Sequence, residues 1–423
     1  MENFTNKIKL VWSDASLRKR ILFVFFALLI FRALAAIPIP GVNVAALGDF
    51  LAGNQFFSLL NLFSGGGLSN LSIVMLGVAP FITGSIIMQL LTMIFPKLKE
   101  LYHEEGEAGR KRFAQYSRLL SIPLSLLQGF GLLSLLKSQG ILGDLTMTDQ
   151  IINVIIITAG SVLLMWIGEL INEFGIGNGV SLIIFAGIVA GFPSILSQLY
   201  FTFSVAQLPL YIAFIILAIV LVAGVVIVTE AERPIPVTYA KRVRGMKVYG
   251  GVSTYLPLRL NQSGVIPIIF ALSILLFPQM ITNFLIGVQN GIVQAVVKAT
   301  TFVLENTWIY GILYFILVFL FTYFYTAVTF DPESIATNLQ KNGAFIPGVR
   351  PGKPTSEHIS RVLTRLTAFG ALFLGIIAIL PVIMRGITGI QALAIGGTGL
   401  LIVVSVVLDL VKQMNAQVSM REY

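Results

Sequence analysis

The 423-residue chain is 56% hydrophobic and 11% charged, with a mean hydropathy of +0.90; soluble domains carry about 25% charged residues to solvate their surfaces, so lipid is the main solvent here. With no cysteine, a disulfide framework, a thiolate metal site and a cysteine nucleophile are all excluded. A net charge of +9 raises nucleic acid as a partner, but in a membrane protein basic residues first report the cytoplasmic side, so their placement decides.

The N-terminus, MENFTNKIKLVWSDASLRKR, lacks the short apolar core and small-residue cleavage site of a removable signal, and the first span is expected to remain in the mature protein. Apolar runs able to cross a hydrocarbon layer of ~30 Å fall near 21–37, 73–95, 114–136, 151–171, 180–199, 207–229, 264–287, 307–329, 362–384 and 391–411. The pattern predicts ten spans in one membrane domain, 1–423. Between the first two, the segment 38–72 has no Lys or Arg yet holds the apolar piece FFSLLNLF followed by Gly65, Gly66 and Gly67. It is too short to span and reads as a half-inserted element, tolerated only where protein or a wet cavity surrounds it. Two later connections, 230–260 and 330–360, mix basic residues with Pro and Gly and read as docking loops.

If the N-terminus is cytoplasmic, that side holds 24 of the 28 basic residues: five before the first span, six in 97–118, six in 233–259, five in 341–365, and Lys412 and Arg421. The far side has only Lys137, Lys298 and Arg385, with Arg32 inside a span. Both termini are then cytoplasmic, as an even span count requires. Ten spans divide into an N-terminal half, 1–200, and a C-terminal half, 201–423. Five spans per half invert the second relative to the first, as in many two-fold membrane folds, although no residue-level repeat is visible.

Chemistry is scarce. His103 and His358 both fall in cytoplasmic loops, HEEGE lacks the second histidine of a zinc-protease helix, and the glycines of GIGNG join two apolar helices rather than a strand and a helix. Glu169, Glu173, Glu230 and Asp409 lie near cytoplasmic span ends, and Arg32 and Arg385 toward the far ends, positions that snorkelling or helix-terminal pairing explains. A secondary transporter of small solutes would need midplane ionisable groups, and an intramembrane hydrolase a nucleophile with its base; the spans offer neither pattern. Thr83, Ser85, Gln89 and Ser273 should face a helix contact or a wet cavity. An aliphatic path would let an extended polypeptide slide and resist ion leakage by dewetting, while ordinary packing accounts for most isoleucines equally well.

Nine segments in order, IPIPG (37–41), NLFSGGGLS (61–69), LGVAPFITGSIIMQLLTMIFPKL (76–98), EGEAGR (105–110), GIGNGVSLIIFAGIVAG (175–191), YAKRV (239–243), GVIPIIFA (264–271), GAFIPGVRPG (343–352) and GGTGLLIVV (396–404), resemble the SecY family. The resemblance implies an all-α membrane protein of ten helices, two inverted five-helix halves around an hourglass pore. It implies a passive channel of the bacterial plasma membrane for secretory polypeptides, opening sideways to admit membrane segments to lipid, with no catalytic residue, cofactor or metal. Carried over by position, the pore ring is Val78, Ile82, Val180, Ile184, Ile269 and Ile402. The plug spans about 57–70, with Phe57, Leu60 and Phe63 and a hinge at Gly65, Gly66 and Gly67. Thr83, Ile86, Gln89 and Ser273 are the lateral-gate candidates, between spans two and three on one side and seven and eight on the other. Arg242, Arg244, Lys247 and Arg350 are the docking candidates for the motor ATPase SecA or the ribosome. At one loop tip, where the family has two adjacent basic residues, Met246 precedes Lys247. SecE and SecG are the implied partner subunits, and nucleic acid enters only as ribosomal RNA.

Overall fold

The computed structural model describes residues 14–40, 61, 64–103, 105–138, 140, 142, 146–201, 208–239, 242–244, 247–249, 253–285, 290–388 and 396–419. Asp14 opens α1 (Ala15–Ala35), its carboxylate accepting from the amides of Ser16 and Leu17 and satisfying two of the four orphan donors of a helix start. The second apolar run is helical only from Ala79: Gly77 stands at φ +58° and Pro80 occupies the first turn, so residues 64–78 stay irregular and α2 (Ala79–Ile94) begins late. Phe95, extended because Pro96 follows it, bends the chain by 116° into α3 (Pro96–His103). Then come α4 (Gly106–Ser138), α5 (Met147–Phe174), α6 (Gly179–Phe201) and α7 (Leu208–Glu230). Thr146 and Asp149 form a reciprocal capping box at the start of α5.

The segment expected as the first docking loop contains strands: β1 (Glu232–Tyr239), β2 (Arg242–Arg244), β3 (Lys247–Tyr249) and β4 (Ser253–Arg259). After it follow α8 (Ile266–Leu285), α9 (Gly291–Glu305), α10 (Thr307–Thr329), α11 (Pro332–Lys341), β5 (Ala344–Phe345), α12 (Lys353–Thr388) and α13 (Gly396–Ser419). Within the helical fold this connection adds an antiparallel sheet in the order β4-β1-β5, pairing Glu232 with Arg259, Ile235 with Leu256 and Tyr239 with Ala344. Ile235, Val237 and Leu258 from the sheet close a small core with Ala344, Ile346 and, from the first turns of α12, Ile359 and Val362.

Each of the ten apolar runs contains a helix. Among the described residues, six helical stretches are long and apolar enough by themselves to cross a membrane: Gly106–Lys137, Met147–Phe174, Tyr211–Glu230, Thr307–Lys341, Lys353–Met384 and Gly399–Gln417. The bent pair α2 and α3 makes up to seven, while α6 and α8 carry the shorter apolar stretches Gly179–Pro193 and Ile266–Leu275. The chain is thus a multi-pass, largely helical membrane protein. Lipid tails are as apolar as leucine, so helices in it are held by close packing rather than by expulsion of water. Small residues supply the closeness: a Cβ on Gly311 of α10 would lie 3.2 Å from Val382, and one on Gly375 of α12 would lie 2.6 Å from Phe315. One large cluster joins α1, α2, α5, α6, α8, α10, α12 and α13, and α8 also packs against α2 and α4.

Candidate functional site

The irregular segment 64–78 threads the interior between helices. A buried stretch without regular structure must satisfy its own polar backbone, and here the sequence provides the partners. Asn61 accepts from the Gly66 amide with its carbonyl and from the Ser69 amide with its side chain; Ser64 Oγ accepts from Leu68 N, and Ser69 Oγ donates to Gly66 O. The strand-like residues after α1 hold the other edge, Ile39 N donating to Leu71 O and Ile73 N to Ile37 O. From α5, Ser161 Oγ donates to Gly77 O at 2.9 Å and Asn153 Nδ2 to Pro40 O at 3.3 Å.

Two contacts fix the glycine turn. Arg32 of α1 donates through Nη1 to Gly65 O at 2.6 Å, and Gly187 of α6 lies against the Gly65 backbone, so close that a Cβ on Gly187 would lie 2.1 Å from Gly65 Cα. Gly65 and Gly66 stand at φ +70° and +80°, where glycine is the default residue. Gly67 does not share that geometry and is wedged between Ser64, Ser72 and Val74. Phe57, Leu60 and Phe63 lie outside the described residues. Sequence reasoning missed Arg32 and Gly187. The available signals were the lone cation preceding a segment free of Lys and Arg, and the small-residue run FAGIVAG in α6.

The six aliphatic candidates are distributed over four helices. Val78 precedes α2 as its cap residue and Ile82 is in its first turn; Val180 and Ile184 sit one turn apart in α6; Ile269 comes from α8 and Ile402 from α13. Val78, Ile184, Ile269 and Ile402 are buried, Ile82 and Val180 half-buried, and all six belong to the central cluster. None carries a hydrogen-bonding side chain, so each contributes only van der Waals contact to that cluster.

Thr83, Ile86 and Gln89 lie along α2, with Ser273 on α8, and those two helices touch. Thr83 is buried and donates its hydroxyl to Ala79 O, Ile86 is buried in the central cluster, and Ser273 is buried. The Gln89 Oε1 is buried without a hydrogen-bond partner, a costly state for an amide oxygen in an apolar setting.

On the sheet face, Arg350 is exposed in a turn bounded by Gly348 at φ +83° and Gly352 at φ +95°, and its carbonyl accepts from Thr355 Oγ1 at 2.8 Å as α12 begins. Arg242, Arg244 and Lys247 belong to a hairpin in which Arg242 faces Tyr249 and Arg244 faces Lys247; Met246, at its tip, lies outside the described residues. The charges near span ends pair across helices: Arg118 of α4 with Glu169 of α5, and Lys412 of α13 with Glu230 of α7 at 2.8 Å. Among the described residues, no group of three or more His, Asp or Glu is placed to hold a metal.

The SecY family model matches residues 72–411. The protein translocase subunits SecY of Corynebacterium glutamicum and Thermotoga maritima are both 42% identical to this chain, the first over 97% of each protein and the second over 96% of this chain and 94% of its own. The Mycobacterium tuberculosis SecY is 40% identical over 96% of each. Among solved structures, one described as a protein-conducting channel aligns with a TM-score of 0.64 at 20% identity over 96% of this chain and 93% of that one. A channel from a canine ribosome complex, Sec61, aligns with a TM-score of 0.61 at 19% identity over the same shares. At those identities the likeness is one of fold, whereas the bacterial sequence relatives and the family match cover the helices that carry the six aliphatic candidates; the chain belongs to the SecY family.

Proposed function

We propose that this chain is the pore-forming subunit of a bacterial protein-translocation channel, crossing the plasma membrane ten times with both termini in the cytoplasm. SecY relatives are translocase subunits and not enzymes, so the energy for transport comes from outside: from SecA hydrolysing ATP, or from elongation at the ribosome. The observation that supports the reading is that Val78, Ile82, Val180, Ile184, Ile269 and Ile402 all belong to one apolar cluster, which also takes in Val74 from the segment 64–78. Such a constriction grips nothing, lets an extended chain slide, and dewets when empty. The plug, about 57–70, closes it from outside, with the turn at Gly65 and Gly66 as its hinge.

The two halves, 1–200 and 201–423, part sideways where α8 meets α2 and α4, with Thr83, Ile86, Gln89 and Ser273 along that seam. A nascent segment of roughly 20 apolar residues favours lipid there over the polar path, so the seam sorts by hydrophobicity. SecE clamps the halves and SecG joins them. SecA or the ribosome, through its RNA and proteins, docks on Arg242, Arg244, Lys247 and Arg350. Photocrosslinking from position 82 to a stalled secretory chain tests substrate and path together. A crosslink that appears only with a translocating chain is expected, and its absence from position 82 while lipid-facing positions crosslink sinks the pore reading.

A further inference from the structure

Helix α9, in the connection between α8 and α10, folds as an amphipathic element, and its sides do not all find protein partners. Fifteen residues rise about 22 Å, too little for a hydrocarbon layer of ~30 Å. Val293, Val297 and Leu304 turn toward the bundle, and Leu304 packs on the central cluster. A second side is apolar and exposed: Ile292 (77% exposed), Val296 (53%) and Phe302 (63%), with Ala295 and Ala299 between them. Gln294 and Lys298, one turn apart, form a third, polar and exposed side. At 100° per residue these sides are separated by roughly a third of a turn each. That is the arrangement of a helix lying where protein, lipid and water meet.

The joint to α10 sets its depth. Asn306 ends α9 and caps α10, its side chain accepting from Trp308 N at 3.1 Å and Ile309 N at 3.2 Å. From that corner Trp308, Ile312, Ile316 and Leu320 descend α10 as an exposed apolar row with a spacing of four. Trp308 at its head matches the aromatic belt of a membrane interface, and the exposed side of α9 continues this lipid-facing row around the corner. We propose that α9 is an interfacial anchor, its Ile292, Val296 and Phe302 side seated among the headgroups and upper acyl carbons of the outer leaflet and Lys298 beside them at the phosphate level. A basic residue flanking an apolar side with an aromatic is the composition that holds a helix in the interface plane. Because α9 contacts both α8 and α10, it fixes the outer ends of these two helices at one depth; that this wall is one side of the lateral gate rests on the function proposed above.

The chain has no cysteine, so single labels are clean. The full chain carrying Val296→Cys or Gln294→Cys is reconstituted in phosphatidylcholine and phosphatidylglycerol vesicles and labelled with an environment-sensitive fluorophore. Nitroxide lipid labelled near the headgroup is expected to quench the Val296→Cys probe several-fold more than the Gln294→Cys probe, and aqueous iodide to do the reverse; Ile292→Cys should repeat the Val296→Cys result. Equal iodide quenching at all positions means that the helix stands in water, and a Val296→Cys probe reached by neither quencher means that protein covers this side; either result overturns the anchor. The measurement needs no translocation, so it stands or falls apart from the channel reading.

Discussion

A single cation illustrates how a position acquires meaning only in three dimensions. From the sequence, Arg32 looks like an interfacial residue snorkelling at the end of its span. In the fold its guanidinium reaches the Gly65 carbonyl, 33 residues on, and that turn also rests on Gly187. A hydrogen bond from a charged donor contributes about 1.5–3 kcal/mol, enough to shift a local open-to-closed equilibrium by a factor of roughly ten or more. Replacing Arg32 with leucine should therefore raise the resting ion conductance of reconstituted channels. Gly187→Ala should do so by a different route, since the new methyl meets the Gly65 backbone and overpacking of this kind costs about 1–3 kcal/mol. Resting currents at the unsubstituted level in both variants would remove this turn from the seal. Neither role was legible beforehand, because the partner in each case is main chain, which leaves no residue-type signature. The aliphatic positions were nominated only through family resemblance: composition offers many isoleucines, and nothing in their residue type sets the six named ones apart.

At the level of elements, apolar periodicity located a helix in every expected span and misjudged what lies between them. The stretch ERPIPVTY reads as a loop because it contains two prolines, yet it is the central strand β1. The register explains the tolerance. Pro234 faces Pro257 and Pro236 faces Tyr255, so these are pairs that exchange no amide bond with β4, and β5 reaches only Thr238 and Tyr239 on the opposite side. The missing donors thus point where no strand lies, the position in which sheets accept proline. Ile235 and Val237 alternate with them toward the small core. Truncating Leu258, fully buried against that core, to alanine should cost about 2–5 kcal/mol locally. The expected outcome is faster proteolysis of the 232–259 hairpin with unchanged resting conductance; a change in conductance without any change in proteolysis would separate the sheet from the role assigned to it.

For the molecule as a whole, the expected orientation rests on the asymmetry of charge, which no single helix reveals, and the expected parity on the count of apolar runs. The inverted relation proposed for the halves rests on that parity rather than on any repeat in the residues. What sequence alone leaves open is which surfaces meet, since lipid-facing and protein-facing leucines are chemically alike. The channel reading makes a global prediction: substituting glycine at Ile82, Ile184 and Ile269 together should widen the constriction and let it wet, raising resting conductance well above that of any single change. Single-channel recordings that show no added leak in the triple variant would rule out a ring at these positions.

Helix α12 joins two of the regions described above. Its first turns give Ile359 and Val362 to the core beneath the antiparallel sheet, and further along Leu374, Ile377 and Ala378 enter the central cluster. About 27 Å of continuous helix separates Ile359 from Ile377 at 1.5 Å per residue, and hydrogen-bonded helix transmits a tug along its length without stretching. On the function proposed above, a partner docked on the sheet holds one end of a stiff rod whose far end is packed in the central cluster, so its mechanical work reaches the membrane interior without a relay.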